Sequence, residues 1–336
     1  MKVTYQTQNL PFRYPFTISK GTKTNQPSLM VSLDFRGIVG YGEAPAIAYY
    51  NIPVEKMIED LQRKQRFVEQ FAFMEPERYW HYLHHLYPAN NFLVCALDIA
   101  AWDIYGKIRQ QPLYKLWNLD MNKAPLTDYT IGIDTIGKMV EKMQEKPWPI
   151  YKIKLGTPED IAIVEALRKH TDAALRVDAN AGWTTEEALE KIPVLASLGV
   201  EMIEQPLAKD NWEGMKRLFD MSPVPLVADE ACVVEQDVEK CHGHFHGINI
   251  KLTKCSGITP ALRMITKARE LGMKVMVGSM NESTIGSAAI AHLSPLLDYM
   301  DADGPLLLSE DPATGLEYNY GKIGVSEGFG LGIQLK

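Results

Sequence analysis

Three carboxylates follow one another along the sequence, each at the end of a short apolar run. Asp178 lies in RVDANAGW, Glu204 in MIEQPL and Asp229 in VADEA. Carboxylate oxygens with no His or Cys among them are the ligands that a hard cation such as Mg²⁺ prefers, and they leave coordination positions for water and substrate oxygens. The trio therefore predicts a site for one Mg²⁺ per subunit.

Lysines stand at the ends of two other apolar runs. Lys152 and Lys154 alternate in YKIKLG, so both point to the same face of a strand, and Lys251 ends INIK. A neutral lysine can remove a proton from a carbon next to a carboxylate, and a nearby cation together with loss of solvent lowers the lysine pKa toward that state. One such lysine suffices for an elimination, whereas two on opposite faces of one carbon would invert it.

A regular series of strands and helices must position these side chains. The predicted strand ends recur about every 25 residues, at Ile131, Lys154, Asp178, Glu204, Asp229, Lys251, Gly278 and Asp301. Helical runs between them are predicted over 158–169, 185–198, 212–221, 234–241, 259–271 and 283–297. Eight such units predict an α/β fold, a (β/α)8-type barrel, whose active-site face is formed by the carboxyl ends of its strands.

The first 120 residues have a different pattern. They read as β-type runs followed by helices, over 1–10, 29–35 and 38–42, then 54–71, 76–86 and 91–109. Strands followed by helices indicate a separate α+β unit. We therefore expect an α+β capping domain over 1–120, the barrel over 121–310 and a carboxyl-terminal segment over 311–336 that returns to the cap.

The motifs KIK, RVDANAGW, MIEQP, ADEA, INIK and the terminal GFGLGI together resemble the muconate lactonizing branch of the enolase superfamily, over nearly the whole chain. The resemblance implies that Lys154 and Lys251 are the two acid/base groups. It also implies that the carboxylate trio binds the metal and that Lys152 holds the substrate carboxylate. Asn180, in the same motif as the first carboxylate, is expected to contact substrate.

Asp301 and Asp303 distinguish members of this branch, because an Asp-x-Asp at the end of the eighth strand resembles the dipeptide epimerases. There the pair binds the substrate's α-ammonium group, which two carboxylates on one face can accept. The resemblance implies an L-Ala-D/L-Glu-type dipeptide epimerase, an isomerase. It would invert the α-carbon of the carboxyl-terminal residue by two-base proton transfer through a metal-stabilised enolate.

The second side chain of the dipeptide stays open at this stage. The resemblance places a cap loop, residues 16–23, against it, and Lys20 and Lys23 in this loop could pair with a glutamate. Family members that act on Ala-Glu typically use arginine there, and an ammonium group lacks the bidentate geometry of a guanidinium. Phe16, Ile18 and the pair at 49–50 would suit an apolar side chain, so Ala-Glu and Ala-hydrophobic dipeptides such as Ala-Ala both remain candidates.

Other activities remain alternatives. Within the superfamily these are a cycloisomerase, an o-succinylbenzoate synthase-type lyase and an N-acylamino acid racemase. Outside it, a Schiff-base aldolase could use Lys154, and a catalytically silent binding barrel would use none of these groups.

Composition and charge limit the classes of partner that the protein is expected to bind. The 35 Lys+Arg against 42 Asp+Glu give a net charge of −7, which argues against nucleic-acid binding. No apolar run is long enough to span a membrane, and the amino terminus lacks an apolar signal segment. The four cysteines are irregularly spaced, which argues against a disulfide framework. We expect a cytoplasmic homo-oligomer whose only partner is a small molecule, a dipeptide from cell-wall peptide turnover.

Overall fold

A long antiparallel sheet opens the chain, and three helices cover one side of it. The computed structural model describes residues 1–336. The elements of this part are β1 (Lys2–Ile18), β2 (Gly21–Phe35), β3 (Ile38–Pro45), α1 (Val54–Gln70), α2 (Pro76–Leu86), α3 (Asn91–Arg109) and the short α4 (Leu113–Leu116). The three long helices match their predicted ranges to within one residue. A hydrophobic core lies between the sheet and these helices.

Helix α3 is central because it is buried almost throughout. The Asn90 side chain caps its start by accepting a hydrogen bond from the Leu93 N–H at 3.1 Å. A Cβ atom at Gly42 on β3 would overlap the carbonyl oxygen of Ala96. Only glycine therefore allows the sheet and α3 to approach this closely.

Eight parallel strands form the second sheet. They are β4 (Tyr129–Ile131), β5 (Ile150–Lys154), β6 (Ala174–Asp178), β7 (Val200–Glu204), β8 (Leu226–Ala228), β9 (Gly247–Ile250), β10 (Lys274–Gly278) and β11 (Tyr299–Asp301). Each strand pairs with its sequence neighbours, and a parallel bridge between Thr127 and Met300 joins the two ends of the series. The predicted (β/α)8-type barrel with an amino-terminal α+β cap is confirmed. Asp229 and Lys251 each lie one residue beyond the end of their strands, and the other six predicted ends agree.

Helices alternate with these strands. They are α5 (Ile136–Glu145), α6 (Asp160–Arg168), α7 (Thr185–Ser197), α8 (Trp212–Met221), α9 (Glu235–Cys241), α10 (Leu252–Cys255), α11 (Ile258–Glu270), α12 (Thr284–Leu293) and α13 (Gly304–Leu307). Local signals start several of them, such as the capping box between Thr184 and Glu187 before α7. The short α10, directly after β9, was not predicted. None of the helices combines the length and the hydropathy that a membrane-spanning segment needs.

Buried carboxylates of the amino-terminal part cap two helices of the barrel. Glu43 on β3 accepts hydrogen bonds from the backbone N–H groups of Ser283 and Gly286, each at 3.1 Å, where α12 begins. Asp98 on α3 accepts from the Thr259 N–H at 3.0 Å, in the first turn of α11. Because the donors are helix amino termini, these contacts fix the orientation of the cap over the barrel.

The carboxyl-terminal residues form short strands and then contact the end of α3. The strands are β12 (Ala313–Thr314), β13 (Leu316–Asn319), β14 (Lys322–Val325) and β15 (Gln334–Leu335). The Gly330 carbonyl accepts from the Leu113 N–H at 3.1 Å, and the Leu331 N–H donates to Asp103 Oδ1 at 2.8 Å. These contacts place the carboxyl-terminal residues against the amino-terminal part of the molecule.

Candidate active site

The carboxyl ends of neighbouring barrel strands bring the predicted carboxylates together. Lys154 on β5 pairs in register with Asp178 on β6, which in turn pairs with Glu204 on β7. Asp229 follows β8 directly. Asp178 and Glu204 are fully buried and Asp229 is 3% exposed. Three adjacent strands therefore carry three buried carboxylates to one side of the barrel mouth.

Every member of the trio lies against a lysine. Lys154 Nζ is 2.6 Å from Asp178 Oδ2, and Lys251 Nζ is 2.8 Å from Asp229 Oδ2. Lys152 Nζ lies 2.7 Å from Glu204 Oε2. In this arrangement no three His, Cys, Asp or Glu side chains are gathered at metal-binding distances. The acidic side chains are instead balanced by ammonium groups.

Burial and neighbouring charges shift the pKa values of these groups in opposite directions. Burial raises the pKa of Glu204 to about 7, and the nearby Asp178 charge adds to this. Burial also acts on Asp229, but the ammonium groups beside it outweigh burial and hold its pKa well below the usual range. Desolvation lowers the pKa of Lys251, yet Asp229 and Glu204 more than compensate, so that its pKa is raised.

The donor set of the trio fits a divalent metal ion. All three side chains offer oxygen atoms, which Mg²⁺ prefers. Glu204 Oε2 is buried and accepts no hydrogen bond, although the Lys152 ammonium group lies 2.7 Å away as an ion-pair partner. Its other oxygen accepts from Asn249 Nδ2 at 2.7 Å, which fixes the orientation of the carboxylate. One oxygen of Glu204 therefore remains available as a ligand.

The remaining predicted polar residues line a cavity of about 340 Å³ at the barrel mouth. Asp301 Oδ2 accepts from Lys152 Nζ at 2.7 Å, and Asp303 Oδ2 accepts from the Thr130 N–H at 2.6 Å. Burial and the neighbouring Asp301 raise the pKa of Asp303 well above its usual value. Asn180 donates its backbone N–H to Asp178 at 2.9 Å, and its side-chain oxygen is buried without a partner.

The cap contributes the outer wall of this cavity. Residues 16–23, which were predicted as a loop, are the tip of the β1–β2 hairpin, with only a two-residue turn between the strands. Lys20 Nζ lies 2.8 Å from Glu230 Oε1 and 4.2 Å from the centre of the Tyr49 ring. Lys23 Nζ donates to the Gln26 side chain at 3.2 Å. The two hairpin lysines thus have different partners, one a carboxylate and the other a neutral amide.

Two charged residues of this region were missed in the sequence. Glu230, which receives Lys20, is 6% exposed, and one of its carboxylate oxygens is buried without a partner. Lys254 is 1% exposed and lies against Asp229. The three-residue spacing between Lys251 and Lys254 is a helical signal that could have placed both on one side of a turn.

Comparisons with known proteins agree with this geometry. Residues 1–117 match the profile of the mandelate racemase/muconate lactonizing enzyme N-terminal domain, and residues 135–336 match the enolase C-terminal domain-like profile. A relative from Flavobacterium johnsoniae named L-Ala-D/L-amino acid epimerase is 50% identical over 335 residues, covering 100% of both chains.

Solved structures with the same fold include two dipeptide epimerases. The substrate-liganded L-Ala-D/L-Glu epimerase from Bacillus subtilis has a TM-score of 0.93 at 28% identity, covering 99% of both chains. A dipeptide epimerase from Cytophaga hutchinsonii, complexed with Mg and D-Ala-L-Val, has a TM-score of 0.91 at 27% identity, covering 100% of this chain and 96% of that one. The resemblance found in the motifs is confirmed: the chain belongs to the mandelate racemase/muconate lactonizing enzyme family of the enolase superfamily.

Proposed function

We propose that this protein is a Mg²⁺-dependent dipeptide epimerase that inverts the α-carbon of the carboxyl-terminal residue. The observation that carries the proposal is the placement of Lys154 and Lys251, which line one cavity from opposite sides of the barrel. Lys154 ends β5 and Lys251 follows β9, and these strands are four positions apart in a barrel of eight. A substrate carbon between them would meet one lysine on each face. The dipeptides named for the two solved relatives support the same reaction.

Asp178, Glu204 and Asp229 would hold the metal. When bound, Mg²⁺ offsets their negative charge and stabilises the negative charge that develops on the substrate carboxylate as the α-proton leaves. Lys152, fully buried between Glu204 and Asp301, would orient that carboxylate from the barrel interior.

The two lysines would move the proton. In one direction a neutral Lys154 takes the α-proton through its nitrogen lone pair, and a protonated Lys251 donates a proton to the opposite face of the same carbon. One C–H bond breaks and another forms, so the reverse reaction starts with the protonation states exchanged. The ion pairs with Asp178 and Asp229 orient each ammonium group.

Asp301 and Asp303 would receive the α-ammonium group of the dipeptide. Both are nearly fully buried and both line the cavity. A substrate cation gains most from carboxylates in such a water-poor site. Substrates of cycloisomerases, succinylbenzoate-forming lyases and N-acylamino acid racemases lack this cation, and their carboxylates would be repelled here.

A screen of Ala-Xaa dipeptides in D₂O tests the proposal. With Mg²⁺ present we expect deuterium at the α-carbon of the carboxyl-terminal residue of both epimers, and none after EDTA treatment. N-acetylated controls, which lack the ammonium group, should exchange much more slowly. Product from a muconate or succinylbenzoate precursor without dipeptide exchange would contradict the proposal. Borohydride trapping of Lys154 with full activity in EDTA would instead indicate the aldolase.

Several broader expectations belong to the same proposal. We place the domain boundaries near residues 120 and 310, and the first of them falls between the two matching profiles, which cover 1–117 and 135–336. We propose a cytoplasmic homo-oligomer supplied with dipeptides from cell-wall peptides. Light scattering on the purified protein and fractionation of the cells that make it test the assembly and the location.

A further inference from the structure

Lys254 is 1% exposed and lies beside the candidate metal site, but it does not line the cavity. It is the third residue of α10. Its Nζ atom lies 2.6 Å from Asp229 Oδ1 and 2.5 Å from the Asp229 carbonyl oxygen. It also lies 2.8 Å and 3.2 Å from the carbonyl oxygens of Cys232 and Asn249. Four acceptors therefore surround three N–H protons, which leaves this group no freedom to move.

Asp229 is shared by two lysines that use different oxygens. Lys251 donates to Oδ2 and Lys254 donates to Oδ1. Lys251 immediately precedes α10, so the two lysines lie on one helical turn. Lys251 lines the cavity, whereas Lys254 does not. One oxygen of the carboxylate thus pairs with a lysine outside the cavity lining, and the other pairs with a lysine that lines the cavity.

We propose that Lys254 is a positioning residue that holds the Asp229 carboxylate in the orientation in which Oδ2 meets Lys251 and in which Asp229 would serve as a metal ligand. This inference rests on the proposed function, because it takes Asp229 as a metal ligand and Lys251 as an acid/base group. Lys254 does not line the cavity and acts only through Asp229. Removal of its ammonium group frees the carboxylate to rotate, which weakens metal binding and misaligns Lys251.

The experiment compares Lys254→Met with wild type and with a matched control, Lys107→Met. Lys107 also binds a buried aspartate, Asp103, at 2.7 Å, and a carbonyl oxygen at 2.7 Å, but it does so in the cap. Mn²⁺ serves as the probe, and its affinity is measured by electron paramagnetic resonance without substrate. Since partners of metal ligands change metal affinity by about 10–100-fold, we expect Kd to rise at least about tenfold in Lys254→Met and to stay within about twofold in Lys107→Met.

Deuterium exchange supplies a second readout that loss of stability alone does not move. The epimer whose exchange is abolished by Lys251→Ala should lose exchange in Lys254→Met more than the opposite epimer does. Lys254→Arg keeps a positive charge inside the barrel, but its larger planar group cannot fit the same four acceptors. We expect it to fold and to show the same two changes.

The outcomes separate the two proposals. Wild type that binds no Mn²⁺ and exchanges no dipeptide contradicts the proposed function itself. Wild type that does both, with a folded Lys254→Met whose Mn²⁺ affinity and exchange ratio match it, overturns the role of Lys254 alone. Equal loss of exchange from both epimers, or failure of both Lys254 variants to fold, would also overturn it and mark Lys254 as a stability residue.

Discussion

Asp103 and Asp229 are both buried aspartates that pair with a lysine, yet their surroundings differ. Asp103 lies in the cap helix α3, where its oxygens accept from the backbone N–H groups of Tyr41 and Leu331 as well as from Lys107. Asp229 lies at the barrel mouth, where the hydrogen bonds to its carboxylate come from the Lys251 and Lys254 ammonium groups.

The difference lies in what the donors can do. A backbone N–H is fixed by the chain and cannot release its proton, so Asp103 joins β3, α3 and the carboxyl-terminal segment permanently. An ammonium group on a side chain can turn away, give up a proton or yield its place to a cation. A carboxylate that accepts hydrogen bonds from lysines can therefore take part in cation binding and proton transfer. A carboxylate that accepts them from backbone N–H groups instead holds parts of the fold together. This contrast predicts different consequences when each kind of group is changed.

The largest effect is expected from the lysines at the mouth. Lys154→Ala and Lys251→Ala should each reduce epimerisation by about 10²–10⁴-fold, the usual contribution of a general acid or base. Each variant should lose α-proton exchange from one epimer, and the two should lose it from opposite epimers. Mass spectrometry of each pure epimer in D₂O measures this. Equal loss from both epimers in both variants would mean that the lysines are not stereospecific bases.

Asp103→Ala should have the opposite consequences: it should lower the stability of the protein and leave its catalytic rate nearly unchanged. It removes the acceptor for two backbone N–H groups and one ammonium group, which leaves buried donors unpaired and lowers the free energy of unfolding by about 3 kcal/mol. Urea unfolding measures the loss. Since Asp103 does not line the cavity and lies in the cap helix α3, kcat of the folded protein should stay within about twofold of wild type. Asp229→Ala is the matched variant. A fall in kcat in Asp103→Ala as large as that in Asp229→Ala would contradict the distinction between the two aspartates.

His292 is a structural residue that should make the stability of the protein depend on pH. It is fully buried on α12, its Nε2 lies 3.2 Å from the Leu331 carbonyl oxygen, and its Nδ1 accepts from the Tyr114 N–H at 3.4 Å. Burial lowers its pKa from 6.5 to about 4, partly opposed by the Leu331 carbonyl. Below pH 6.5 the unfolded chain therefore binds a proton that the folded chain refuses. Stability falls as pH drops from 6.5 to 4, by about 3 kcal/mol in total from this residue.

Urea unfolding at several pH values checks this expectation in wild type and His292→Gln. The glutamine cannot titrate, so its stability should fall less steeply over the same range. Identical slopes in the two proteins would show that the histidine takes up its proton without opposing the fold.

The sequence predicted the barrel well because its signals are local and repeated. Apolar runs that end in a polar residue recur at a nearly constant spacing, and six of eight strand ends agree with the structure. The carboxylates and lysines could be placed at one mouth because parallel strands bring their carboxyl ends to the same face. Family membership and the dipeptide-type motif were likewise visible in short segments.

Contacts between distant segments could not be predicted in the same way. The pairing of Lys20 with Glu230 joins a cap hairpin to a barrel loop 210 residues away. Lys254 was missed because α10 has only four residues, too few for a periodic apolar pattern. The hairpin tip was expected to be a loop on the basis of the resemblance, whereas cross-strand pairing, such as that of Phe16 with Lys23, extends both strands to a two-residue turn.

The smallest effect is expected from the two hairpin lysines, Lys20 and Lys23, and it concerns the preference between acidic and apolar dipeptides. Both lysines line the cavity, but Lys20 is paired with a carboxylate, whereas Lys23 meets only the neutral Gln26 amide. Burial and the nearby Lys251 lower the pKa of Lys23, so an acidic side chain that pairs with it relieves an unfavourable charge. Lys23→Met should therefore lower kcat/KM for Ala-Glu about tenfold relative to Ala-Leu, about 1.4 kcal/mol, and Lys20→Met should change that ratio less. Parallel assays of both dipeptides measure the ratio, and an equal change in the two variants would show that the carboxylate partner of Lys20 does not decide which lysine meets the substrate.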